Sequence, residues 1–79
     1  MIQVKTLTQT CNACPSEWEG ELTDGGKLYI RYRRGYLSIR VNNKEIWGNS
    51  IGSSLDGYID EYDINPYLVE ALEEYSSIN

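Results

Sequence analysis

The clearest order in this chain is a strict alternation of apolar and polar side chains across its middle. In Leu28-Tyr29-Ile30-Arg31-Tyr32-Arg33, the residues Leu28, Ile30 and Tyr32 share one parity; in Tyr36-Leu37-Ser38-Ile39-Arg40-Val41, Leu37, Ile39 and Val41 share another. Successive side chains on a strand point to opposite faces, so each segment reads as a strand with one buried face. A two-residue Arg34-Gly35 loop pairs 33 with 36, 32 with 37, 30 with 39 and 28 with 41. Every apolar residue then meets an apolar partner, as a register with one buried face requires.

The preceding segment extends the same sheet. Trp18, Gly20 and Leu22 alternate with Glu17, Glu19 and Glu21, and Thr23-Asp24-Gly25-Gly26 is a turn signal. A three-residue loop at 24–26, with Gly26 left-handed, pairs 22 with 28 and 18 with 32. On the other face it sets Glu21 against Tyr29, Glu19 against Arg31 and Glu17 against Arg33. Opposite charges across a ladder contribute roughly 0.2–1 kcal/mol each, so the charge pattern selects this register. Ile2 to Leu7 alternates more weakly and is a candidate edge strand. Beyond Asn42-Asn43, Lys44 to Ile51 reads as a further strand anchored by Ile46 and Trp47, with two- and four-residue loops both open. Asn49 to Gly57 is polar and rich in Gly and Ser, the composition of a surface loop.

Towards the C-terminus the period changes. Tyr58 to Ile64 fits either a short helix or an extended piece. Asn65-Pro66 then has the form of a helix start, Asn as N-cap and Pro at the first helical position. Tyr67, Leu68, Ala71, Leu72 and Tyr75 fall on one helical face, with Glu70, Glu73 and Glu74 directed to solvent. The expected architecture is one α+β domain over residues 1–79: an antiparallel β-meander of three to five strands, with a C-terminal α-helix on the apolar face carrying Leu28, Ile30, Leu37, Ile39 and Val41.

Composition sharpens this picture. In 79 residues there are seven Lys/Arg, twelve Asp/Glu, no His and two Cys, for a formal charge of −5. The charge is segregated: residues 1–26 carry a net −3, residues 27–44 a net +6 and residues 45–79 a net −8. No apolar run approaches the ~20 residues of a membrane span, and the first ten residues lack the basic start and apolar stretch of a signal peptide. The expected setting is the cytoplasm, with no membrane partner.

Candidate chemistry is sparse. Without His the commonest general base and metal ligand is missing, so an enzyme is not expected. Cys11-Asn12-Ala13-Cys14 supplies half a tetrahedral zinc site and has no second pair in the chain; a zinc ion would need carboxylates or a second subunit. Pro15 and the nearby Glu17, Glu19 and Glu21 disfavour a reactive thiolate. Packing as small apolar residues, or a short disulfide, is the simpler role, and no metal or cofactor is expected.

Two surfaces remain. Tyr29, Arg31, Arg33, Tyr36 and Arg40 share one sheet face, a set of residues that anchors protein interfaces and can also stack and neutralise single-stranded nucleic acid. Asp60, Glu61, Asp63, Glu70, Glu73 and Glu74 form an acidic C-terminal part with no compensating base after Lys44. Glutamates beside the arginines, and a net charge of −5, disfavour nucleic acid, whose binding depends on uncovered phosphate contacts.

The runs Cys14-Pro15-Ser16-Glu17-Trp18-Glu19-Gly20, Asp24-Gly25 and Tyr29-Ile30-Arg31-Tyr32-Arg33-Arg34-Gly35-Tyr36-Leu37-Ser38 resemble small uncharacterised proteins of bacteria and their phages. The resemblance covers about residues 14–40 and carries no known activity; it implies a phage or mobile-element product acting by binding. The leading expectation is a non-enzymatic protein-binding module, in that setting an inhibitor of a host defence complex, using the Tyr/Arg face or the acidic part. The alternatives are a single-stranded nucleic-acid binder using Tyr29, Arg31, Tyr36 and Arg40, and a homodimer bridged by zinc through Cys11 and Cys14.

Overall fold

The computed structural model describes residues 2–12, 16–53 and 58–78. Five strands, β1 (Val4–Asn12), β2 (Ser16–Leu22), β3 (Lys27–Arg33), β4 (Tyr36–Val41) and β5 (Lys44–Ser50), precede one helix, α1 (Glu61–Ile78). The strands form an antiparallel meander in the order β1-β2-β3-β4-β5. Among the described residues no helix is long and apolar enough to cross a membrane. The candidate edge strand is present and runs on through Cys11; Cys14 lies outside the described residues.

The β3–β4 hairpin has the expected register: Arg33 with Tyr36, Tyr32 with Leu37, Ile30 with Ile39 and Leu28 with Val41. Arg34 (φ 53°) and Gly35 (φ 77°) are both left-handed, as a two-residue turn matched to strand twist requires.

The β2–β3 register differs from expectation by two residues. Glu17 faces Arg31, Glu19 faces Tyr29 and Glu21 faces Lys27, in place of Glu17 against Arg33 and Glu19 against Arg31. The three-residue loop is Thr23-Asp24-Gly25, and Gly25 (φ 90°) holds the left-handed position instead of Gly26. Two contacts explain the choice. The Gly26 amide donates to Asp24 Oδ1 at 2.9 Å, and Gly26, lacking a side chain, is buried against Val41 and Leu22. A two-residue shift keeps every side chain on its face, so apolar patterning cannot see the difference.

The β4–β5 turn takes the two-residue reading and not the four-residue one. Asn42 (φ 53°) and Asn43 (φ 69°) make a two-residue turn that sets Arg40 against Glu45; a bulge then shifts the ladder so that Ile39 faces Trp47. Beyond β5, part of the expected surface loop is tied down: the Ile51 and Gly52 amides donate to the Gly35 carbonyl at 2.8 and 3.1 Å.

The helix begins a turn before the expected start. Asp60, not Asn65, is the N-cap: its Oδ1 accepts from the Tyr62 amide at 2.8 Å and its carbonyl from Asp63 and Ile64. Pro66 therefore lies inside α1, where the amide it lacks would have bonded the Tyr62 carbonyl. The ambiguous stretch is non-helical to Asp60 and helical from Glu61. Starting at Glu61 buries Ile64, which joins Leu68, Ala71 and Leu72 in one cluster with Trp18, Leu22, Leu28, Ile30, Tyr32, Leu37, Ile39 and Val41. Burying an Ile contributes about 1.5–3 kcal/mol, the same order as the ~3 kcal/mol a proline costs inside a helix, and the Asp60 cap adds to it.

Candidate functional site

Meander pairing carries the odd-numbered residues of β2 and β3 and the even-numbered residues of β4 onto one face and sets them in rows. Glu17, Arg31, Ser38 and Gly48 make one row across the sheet, and Glu19, Tyr29, Arg40 and Glu45 make the next. Tyr36 stands opposite Arg33 on one side and Ser50 on the other. In the first row Ser38 and Gly48 are small, while Tyr29, Arg40, Arg33 and Tyr36 around them are tall. The result is an open hollow of about 190 Å³ lined by Tyr29, Arg31, Arg33, Tyr36, Ser38, Arg40 and Glu45.

All five sheet-face residues expected from alternation are therefore brought together here. Ser38 and Glu45 were missed as lining residues. Ser38 shares the parity of Tyr36 and Arg40, so the signal for it was present; Glu45 could be found only by choosing the two-residue Asn42-Asn43 loop.

Glu45 organises one wall. Its carboxylate accepts from Ser38 Oγ at 2.7 Å and from the Tyr36 hydroxyl at 3.1 Å. Gly48 makes this possible, because a Cβ there would overlap the Tyr36 hydroxyl and sit 2.7 Å from the Glu45 carboxylate. The hydrogen bond to Glu45 raises the Tyr36 pKa above its ordinary value, since losing the phenolic proton would set two anions side by side. Burial is the main cause that raises Tyr29, followed by its hydrogen bond to Glu17.

The arginines differ. Arg31 Nε lies 3.7 Å from Glu17 Oε2, a Coulombic contact too long for a hydrogen bond, and that nitrogen is buried with no other partner. Among the described residues, Arg33, Arg34 and Arg40 form no ion pair within 4.0 Å. Arg33 and Arg40 line the hollow with guanidinium donors uncommitted to carboxylates. Five donors in a planar fork match a carboxylate, and flanking phenol rings add apolar contact.

The acidic residues are not gathered into one site. Asp60 caps α1, Glu61 and Asp63 occupy its first turn, and Glu70 accepts from Trp47 Nε1 at 2.8 Å, so it is not simply solvated as expected. Glu73 and Glu74 are exposed. Cys11 is half-buried on β1 opposite Glu17. Among the described residues, no group of three or more His, Cys, Asp or Glu is placed to hold a metal ion.

Compared with known proteins, the chain matches no family model, no curated protein and no solved structure.

Proposed function

We propose that this protein is a non-enzymatic binding module whose outer sheet face grips an acidic, aromatic-bearing segment of a protein partner. The observation that carries the reading is the hollow itself, with Arg33 and Arg40 at its margin in no ion pair among the described residues and Tyr29 and Tyr36 as walls. A partner carboxylate has guanidinium donors waiting for it, and partner apolar groups have two rings to cover. Tyr and Arg are the residues that concentrate binding energy at interfaces, and Tyr36 is held in place by Glu45 before any partner arrives, which lowers the ordering cost. An inhibitor of a host complex, encoded by a phage or mobile element, is the biological setting this reading favours, and a non-membrane location agrees with it.

Glu17, Glu19 and Glu45 stand in the same rows as the tyrosines and arginines, which disfavours a phosphate backbone laid across them. The test uses the wild-type protein and an Arg33→Glu/Arg40→Glu double variant, each immobilised and exposed to lysate of the source cell. A protein retained by the wild type and lost by the variant is the expected result. Equal retention removes the face as the contact. Tight, steeply salt-dependent binding of an oligodeoxythymidine would overturn the reading in favour of single-stranded nucleic acid.

A further inference from the structure

The opposite side of the molecule holds a second feature that the outer face does not use. α1 leans towards β5: Trp47 and Tyr67 stack at 5.4 Å between ring centroids, and Trp47 Nε1 bonds Glu70. At the other edge of the sheet a groove opens between β1 and α1. Two hollows of about 220 and 390 Å³ share Asn65 and Leu68 and run along it. One end is lined by Ile2, Val4, Val69 and Leu72, beside the Ile2 amide that donates to Ser76 Oγ at 3.3 Å. The other end is lined by Leu7, Ile64, Asp60, Glu61 and Tyr62.

Three observations converge on its occupant. β1 is terminal in the sheet order, so among the described residues no strand pairs with the outer edge of Val4–Gln9. The Ile2–Leu72 end of the groove is mainly apolar, the other end is mixed, and the charged residues lining it, Asp60 and Glu61, are both acidic. Two of the most exposed large apolar side chains, Tyr62 at 86% and Val69 at 49%, stand on the helix rim of the groove. An exposed phenol ring beside two carboxylates suits a Lys or Arg side chain, by charge and by cation–π contact. The opposing charge is Lys5, exposed on β1 where a bulge interrupts the ladder.

We propose that the β1 edge and the β1–α1 groove take an extended, basic segment of a partner protein as a sixth strand. Main-chain hydrogen bonds to Val4–Gln9 supply affinity, and alternate apolar side chains of the segment enter the groove against Leu68, Val69 and Leu72. A lysine or arginine at its end reaches Asp60, Glu61 and Tyr62. Apolar residues at alternate positions and bases between them are the chemistry this surface selects. The proposal is independent of the outer face, which lies on the other side of the sheet.

The test titrates ¹⁵N-labelled protein with three capped heptapeptides: alternating Lys-Val, alternating Glu-Val and alternating Lys-Gly. The Lys-Val peptide is expected to shift the amides of Val4–Gln9 and the Val69 methyls and to slow hydrogen exchange along β1. A Glu61→Lys/Val69→Lys double variant, changed only at exposed positions, should bind it about tenfold more weakly while keeping the wild-type circular dichroism. Equal binding of the Glu-Val peptide overturns the charge argument, and equal binding of Lys-Gly overturns the groove. Shifts centred on Arg33, Tyr36 and Arg40 would move the contact to the outer face. Self-association without peptide that shifts Val4–Gln9 would assign the edge to a second copy, and no shift at about millimolar peptide rejects the proposal.

Discussion

The two edges of this sheet are built by the same meander and end in opposite conditions. At β5, a bulge turns the strand, Trp47 contacts both Tyr67 and Glu70 of α1, and residues 51–53 fold back onto the Arg34-Gly35 turn. At β1, two irregularities in the ladder bend the strand, and a groove separates it from the helix. The difference lies in what each edge offers its neighbours. β5 presents a large indole with a donor, whereas β1 presents Val4 and Leu7 among threonines and a glutamine. Both strands are terminal in the sheet order, but β5 is tied to α1 through its side chains while β1 faces a groove, and an unpaired edge invites another strand or must be blunted. Lys5 on a bulge is a modest blunting device.

The largest expected effect is on the β5 side of the sheet. Gly35 is left-handed, and a Cβ there would overlap the Gly52 and Ser53 carbonyls, so Gly35→Ala both strains the turn and releases the 51–53 segment. The expected loss is roughly 2–4 kcal/mol, measured by urea denaturation. A loss below about 0.5 kcal/mol would show that the segment does not brace the β3–β4 turn.

At the open edge, the counterpart is Gly20, whose missing Cβ leaves room for the Thr6 carbonyl. Gly20→Ala should cost roughly 1–3 kcal/mol and speed amide exchange in β1 ahead of β3 and β4. Uniform acceleration across the sheet would deny that β1 is the separable strand. Smaller again is Trp47→Phe, which keeps the ring but removes the donor to Glu70. A loss of about 1 kcal/mol, with faster exchange around Glu70, is expected. No change in exchange there would mean ring packing alone holds α1 against β5.

The smallest effect concerns protons. Tyr36 titrates above its ordinary value because of Glu45, so Glu45→Gln should bring it down towards that value in an ultraviolet or NMR titration. The sign follows from which form the fold favours. A pKa raised in the folded chain adds stability that is fully present below the ordinary tyrosine value and is lost as pH rises through the raised one. Stability of the wild type should therefore fall with alkaline pH more than that of the variant. An unchanged Tyr36 titration in the variant would sever the Tyr36–Glu45 contact on which the hollow's wall depends.

Much of the outer site was legible because parity is robust. Tyr29, Arg31, Arg33, Tyr36 and Arg40 reach one face in any register that keeps Leu28, Ile30, Leu37 and Ile39 inside. Which carboxylate meets which arginine was not legible. A slip of two residues costs nothing in apolar burial, and it was decided by Gly25, Gly26 and the Asp24 side chain. The helix start was misjudged for a related reason. Asn65-Pro66 is a good local signal, but Asp60 supplies an equal cap and burial of Ile64 adds a tertiary gain that local preference does not contain.

The sequence by itself determined the hairpin of β3 and β4, the division of each strand into an inner and an outer face, the amphipathic helix and the segregation of charge. These follow from periodicity and from turn residues adjacent in the chain. Only the tertiary structure decided that Ser38 lines a hollow, that Glu45 serves Tyr36 rather than Arg40, that Trp47 draws the helix towards β5, and that a groove opens beside β1. Each of those depends on the size and reach of side chains far apart in sequence, and packing, unlike periodicity, is settled only when all of them are in place.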